Sequence, residues 1–135
     1  MEARLITMAA QLGIADNVIF PGFVRGNDLK ALYAQADLFI MPSVSEPFGL
    51  VALEAVANNT PVIVSKQSGV AEVLDHAIKV DFWDEQGLAD GIIGVLKYGV
   101  MYKPMTENSY KQALKVTWER AAENVRGVYE RLLGE

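Results

Sequence analysis

Short apolar runs recur about every twenty residues along this chain, each followed by a stretch with helical periodicity, and that alternation constrains the fold most. The runs are "NVIFPGFV" from Asn17, "DLFIMP" from Asp37, "PVIVS" from Pro61 and "AIKVDF" from Ala77. "DLFIMP" and "PVIVS" have no polar alternation, the pattern of strands buried on both faces of a parallel sheet. Helical periodicity fills "EARLITMAAQLG", "NDLKALYAQA", "FGLVALEAVANN", "SGVAEVLDH" and "DEQGLADGIIGVLKYG", and two closing segments, "MTENSYKQALK" and "TWERAAENVRGVYERLLG". Asn27 is the expected N-cap of the second helix, and Asn58-Asn59 the expected end of the third. The alternation predicts an α/β fold: a Rossmann-like parallel sheet of about four strands flanked by helices. Residues 1–135 carry no repeat, low-complexity segment or linker and read as a single domain.

Composition narrows the functions. The chain has 17 acidic and 12 basic residues, a formal net charge of −5, and no basic run, so a nucleic-acid partner is not expected. The absence of cysteine excludes disulfides and thiolate metal sites, and one histidine, His76, is too little for a histidine metal centre or a catalytic triad. No metal is expected, and His76 reads as structural. No apolar run reaches the length of a membrane helix, and the first residues lack a signal-like pattern. A cytoplasmic protein is the expectation.

The chemistry concentrates in "SEPFGLVALEAVANNTPVIVS", residues 45–65. Ligands of open parallel sheets bind outside the carboxyl ends of the strands, and the loop carrying Glu46 leaves the end of "DLFIM". Phe48, Gly49 and Leu50 open the next helix; its first amides are unpaired donors at a positive dipole end, suited to phosphate. On a helical projection, Glu54 lies about 40° from Leu50, inside a stripe marked by Leu50, Leu53 and Ala57. A carboxylate on a buried stripe needs a partner. Spacing alone leaves two readings: a ligand-binding carboxylate, or a stripe-edge glutamate reaching solvent or an arginine.

"EPFGLVALEA", with Glu46 and Glu54 in the E-x7-E spacing, resembles the retaining glycosyltransferases of family 4 (group 1), which have the GT-B fold. The register of "LGIADNVIFPGFV", "LKALYAQADLFIMPS", "NNTPVIVS" and "TWERAAENVRGVYERLL" agrees, and the likeness to the carboxyl-terminal, donor-binding lobe covers nearly the whole chain. The resemblance implies a partial GT-B lobe whose substrate is a nucleotide-diphosphate sugar, with no cofactor. Glu54 would bind the ribose hydroxyls, and Glu46, the residue at the catalytic position, hydroxyls of the transferred sugar. Phe48, Gly49 and Leu50 would lie by the sugar and diphosphate, Val24 and Arg25 by the base, and Gly69 in a loop near the donor. Ser68-Gly69 stands where the family commonly has two glycines. "EPFG" leans towards a glucosyl donor.

The resemblance also implies missing parts: the lobe's opening strand with its arginine and lysine for the diphosphate, and the amino-terminal acceptor lobe. The chain is therefore expected to transfer no sugar by itself and to self-associate. A non-catalytic nucleotide-sugar module and a fold-only interaction domain are the alternatives. Lys66 reads as solvated, though near enough to a phosphate site to consider. Asp81, Asp84 and Glu85 make only a loose metal-like cluster. Phe82, Trp83, Tyr98, Tyr102 and Tyr110 are expected to pack, and Trp118, Val125 and Tyr129 to form a helix face against the core.

Overall fold

The computed structural model describes residues 2–134, the Met101 side chain excepted. Three strands form a parallel sheet in the order β1 (Phe39–Met41), β2 (Val62–Ser65), β3 (Ile78–Val80). Phe39, Ile40 and Met41 pair with Val62, Ile63 and Val64, and Ile63, Val64 and Ser65 with Ile78, Lys79 and Val80. Among the described residues six helices accompany the strands: α1 (Glu2–Gln11), α2 (Gly26–Gln35), α3 (Leu50–Ala57), α4 (Glu85–Lys97), α5 (Gly99–Ala113) and α6 (Trp118–Leu133).

β2 is the centre of the sheet and is buried along its length. Its alternating side chains serve two helical layers. Val62 and Val64 join Met41, Ala52, Ala55, Val56, Val70 and Leu74 in the main core. Ile63 faces the other way, where Gly91 of α4 comes so near that an added Cβ would lie 3.2 Å from Ile63 Cδ1. Ala52 and Ala55, fully buried, keep α3 close to the sheet. α5 packs against both α3 and α4, with Tyr110 and Ala113 against the core. Buried Thr60 donates to the Tyr33 carbonyl at 2.6 Å, tying the end of α2 to the turn before β2.

The parallel α/β sheet is as the sequence predicts, but with three strands rather than about four. "NVIFPGFV" pairs with nothing among the described residues: Ile19 is 85% and Phe23 88% exposed, and Ala15–Asn17 form a 3-10 turn. Its β-branched residues favour a strand, but a strand needs a neighbour to bond and an apolar face to cover. α2 starts at Gly26, whose φ of 63° makes the turn, with Arg25 rather than Asn27 at the cap position. "SGVAEVLDH" gives only the 3-10 turn Gly69–Glu72. α5 begins earlier than its motif suggests and runs through Pro104.

α6 departs most from expectation. Thr117 caps it, accepting from the Arg120 amide at 3.2 Å, and Gly134 ends it in a left-handed conformation. Trp118, Val125 and Tyr129, expected on the core, are all exposed, and no residue of the helix is buried. An apolar stripe prescribes a covered face, not the surface that covers it.

Buried Leu74→Ala is expected to cost about 2–5 kcal/mol of unfolding free energy through transfer loss and cavity formation. Leu132→Ala, on the exposed stripe of α6, is expected to change it by less than about 0.5 kcal/mol. Urea unfolding of the two variants at low protein concentration checks the contrast; an equal loss would place α6 in the core.

Candidate functional site

The loops that leave β1 and β2 meet over the carboxyl ends of the strands. Glu46 forms a parallel bridge with Ser68, and the Gly69 amide donates to the Glu46 carbonyl at 3.1 Å. Gly69 has no alternative here: a Cβ would strike the Pro47 carbonyl and lie 3.1 Å from Phe48 Cα. Ser68, in place of a second glycine, is buried and donates its hydroxyl to the Ser65 carbonyl at 2.6 Å. It completes the turn instead of distorting it.

Gly49 connects this loop to α3. It has φ 97° and ψ 49°, and a Cβ on it would lie 2.9 Å from Met41 Cε and 3.0 Å from Val70 Cγ1. No side chain caps α3, so its first amides have no side-chain acceptor at the end where the Glu46 loop enters the helix. The Gly49 carbonyl already takes the Ala52 amide at 3.0 Å. Leu50 is exposed and Phe48 and Glu46 are half-buried. Glu46, Phe48, Gly49, Leu50 and Gly69 thus form one group.

Glu54 belongs to a second group. The buried face of α3 carries Ala52, Ala55 and Val56, and Glu54 is exposed together with Leu50 and Ala57. The expected buried stripe is therefore wrong in phase. Apart from Glu54, α3 is apolar all round, so the carboxylate was the better marker of its outer side. Glu54 borders a cavity of about 340 Å³ with Gly26, Lys30, Tyr33 and Asn58. Tyr33 is buried, and burial first, then the charge and hydrogen bonding of Glu54, raise its phenol pKa above the ordinary value. Of the Val24–Arg25–Gly26 segment only Gly26 lines this cavity; Val24, half-buried, and Arg25, exposed, line a separate groove with Phe23 and Asp28 and are not brought to Glu54.

A network that sequence reasoning missed joins β2 to β3 beside the first group. Gln67 accepts from the Ser65 hydroxyl at 2.9 Å and donates to Asp81 at 2.9 Å, and Lys66 pairs with Asp81 at 2.8 Å. Hydrogen bonds from Lys66 and then Gln67 lower the Asp81 pKa. Lys66 is thus ion-paired rather than simply solvated. Asp84 accepts from the Gly87 amide at 2.9 Å as the cap of α4, so neither it nor Asp81 is free to serve a cluster. Among the described residues no group of three or more histidines and carboxylates could hold a metal. Nor is any helix long and apolar enough to cross a membrane. The partner of Lys66 lies fifteen residues away, and no local pattern pointed to it.

The family model "Glycosyl transferases group 1" matches residues 1–112. A glycosyltransferase of Methanocaldococcus jannaschii is 37% identical over 135 residues, covering 96% of this chain and 34% of that protein. The D-inositol 3-phosphate glycosyltransferase of Acidothermus cellulolyticus is 35% identical, covering 98% and 30%. Mannosylfructose-phosphate synthase of Agrobacterium fabrum is 32% identical over 123 residues, covering 88% and 27%. The solved sucrose-phosphate synthase of Thermosynechococcus elongatus superposes with a TM-score of 0.82 at 28% identity, covering 98% of this chain and 34% of that one. The chain spans about a third of the length of these relatives.

Gly49→Ala is expected to destabilise the domain by about 1–3 kcal/mol, because a left-handed backbone and a close Cβ contact act together. Gly99→Ala, where a Cβ meets nothing within 4 Å, serves as the control. Thermal unfolding of both checks it; equal midpoints would remove the constraint at Gly49.

Proposed function

The chain belongs to the group 1 glycosyl transferases, and from that membership we propose that it is the donor-binding part of a retaining family 4 transferase of GT-B fold. The donor is a nucleotide-diphosphate sugar with a hexose to transfer, and no cofactor takes part. The observation that carries the reading is the seating of Pro47 and Phe48 on Gly69, which sets Glu46 and the uncapped amides of α3 at one edge of the sheet. Those amides suit a diphosphate. Glu46, the catalytic-position residue, takes hydroxyls of the sugar; Phe48, Leu50 and Gly69 surround it. Glu54 takes the vicinal ribose hydroxyls, with Val24 and Arg25 beside the base. Tyr33, buried and lining the same cavity as Glu54, supports this reading. The enzyme's work is positioning and stabilisation of the leaving diphosphate, for which the reading requires cations outside this chain.

The acceptor in this reading is a phosphorylated sugar or polyol, bound partly by a further, amino-terminal lobe. Three relatives carry such a compound in their names: D-inositol 3-phosphate glycosyltransferase, mannosylfructose-phosphate synthase and sucrose-phosphate synthase. The uncovered face of α6 supports a second surface, and in the chain alone we assign it to self-association.

Titration with UDP-, GDP- and ADP-sugars tests the donor site. Glu54→Ala is expected to weaken both the nucleotide sugar and the bare nucleoside diphosphate by about 1.5–3 kcal/mol, the scale of charge-assisted hydrogen bonds. Glu46→Ala should weaken only the nucleotide sugar. Equal losses for the two ligands would move Glu46 away from the sugar, and unchanged binding with Glu54→Ala would end the ribose assignment.

Sedimentation over a concentration series is expected to show the chain dimerising, less so after Leu132→Glu. A monomer throughout would contradict self-association.

A further inference from the structure

Pairing between β2 and β3 ends at Ser65 and Val80. One further backbone bond follows, from the Lys66 amide to the Val80 carbonyl at 3.0 Å. Beyond it a side chain takes over from the ladder. Gln67 Oε1 accepts from the Phe82 amide at 3.3 Å, and Gln67 Nε2 donates to Asp81 Oδ1 at 2.9 Å. A backbone N–H only donates and a carboxylate only accepts, so the two bonds allow a single orientation of the Gln67 amide. The same Oε1 takes the Ser65 hydroxyl at 2.9 Å, and that hydroxyl in turn accepts from the Gln67 backbone amide at 3.1 Å. Gln67 thus closes the turn after β2 and fastens it to the exit of β3.

That turn carries the contact on which the Glu46 loop rests. The Ser68 amide and hydroxyl both donate to the Ser65 carbonyl, at 3.1 and 2.6 Å. Gly69 follows, its amide on the Glu46 carbonyl at 3.1 Å and its backbone pressed against Pro47. A continuous series of bonds therefore runs from Asp81 and Phe82 through Gln67, Ser65, Ser68 and Gly69 to Glu46. Gln67 is exposed, so removing its side chain opens no cavity in the core, and the loss falls on the turn. The Lys66–Asp81 pair joins the same two segments differently. Lysine is a point charge on a flexible stem, and with the Lys66 side chain 52% exposed the pair fixes no angle and adds little.

We propose that Gln67 is a positioning residue for the transferred sugar: through Ser65, Ser68 and Gly69 it holds Glu46 where the sugar hydroxyls reach it. The proposal rests on the donor reading above, which puts Glu46 on the sugar and Glu54 on the ribose. Gln67 itself touches no part of the donor. Its influence is confined to the Glu46 side, because the turn it closes bonds the Glu46 loop, while Glu54 stands in a separate cavity with Tyr33 and Lys30. Without the Gln67 amide, the turn after β2 keeps only its own Ser68 bonds and is no longer tied by that side chain to β3.

Two measurements on the 135-residue chain test it. Amide hydrogen exchange followed by NMR reads the loop, and calorimetric titration with UDP-, GDP- and ADP-glucose and the matching nucleoside diphosphates reads the site. Gln67→Ala is expected to speed exchange at the Gly69 amide roughly tenfold or more and to leave the amides of β2 unchanged. It should weaken the glucose donor about fivefold or more and the bare diphosphate less than about twofold, on the scale of one or two lost hydrogen bonds. A general structural defect would weaken both ligands alike. Lys66→Ala, which removes the ion pair and leaves the Gln67 bonds in place, should alter neither measurement. Unchanged exchange at Gly69 overturns the positioning role. Equal losses for the two ligands, or an effect of Lys66→Ala as large as that of Gln67→Ala, overturn it as well. Should Gln67→Ala fail to fold, Gln67→Met, which keeps the length of the side chain without its amide, takes its place under the same criteria. If the unaltered chain binds none of the three donors, the donor reading fails and the sugar role with it. Faster Gly69 exchange in the variant would in that case still establish the hold of Gln67 on the Glu46 loop.

Discussion

The contact between the Pro47–Phe48 backbone and Gly69 holds the rest of the site in place. Two loops leave neighbouring strands, and each would be free to diverge, but the Gly69 amide bonds the Glu46 carbonyl and the missing Cβ lets the chains touch. Gly49 repeats the device one turn further on, where a left-handed residue packed against Met41 and Val70 aims α3 at the sheet edge. Both glycines act through an absent atom. The amides of α3, Glu46 and Phe48 take their positions from these two close approaches, and the Ser65–Gln67–Asp81 hydrogen bonds brace the same edge from the other side.

Glu54 illustrates how magnitude decides between placements. Burying it on the α3 stripe without a partner would cost several kcal/mol on the scale of charge burial, while turning it outward costs almost nothing. Alanines at 52 and 55 make the alternative packing efficient, since they bring the helix close to the sheet with no side-chain entropy lost. The carboxylate then lies at the rim of a cavity, with Tyr33 as its neighbour. It is both inexpensive to maintain and open to a ligand hydroxyl.

α6 begins on the site edge and carries an apolar stripe that the described residues leave uncovered. Its first turn supplies Arg120, and the segment before it Lys115, to a groove beside Phe48. One short segment thus carries both an uncovered apolar face and the wall of a polar groove.

Much of this was legible in the residues. The unalternating runs at Phe39–Met41 and Val62–Ser65 read as strands, and parallel order follows from the helices between them. Only β2 is buried along its length, while Phe39 and Ile40 of the outer strand β1 are half-buried. Gly49, the end of α3 at Asn58-Asn59 and the resemblance carried by "EPFGLVALEA" were readable for the same reason: each depends on neighbours within a few residues. "NVIFPGFV" misled because strand propensity says nothing about whether a partner strand is at hand. The phase of α3 misled because seven of its eight residues are apolar, leaving periodicity almost without contrast. The Lys66–Asp81 pair, the collision that reserves position 69 for glycine, and the hold of Gln67 on Asp81 were invisible. Local sequence determined which segments become strands and helices and where they turn. Only the tertiary structure decided which faces were covered and which polar atoms met, because those depend on distances between segments far apart in the chain.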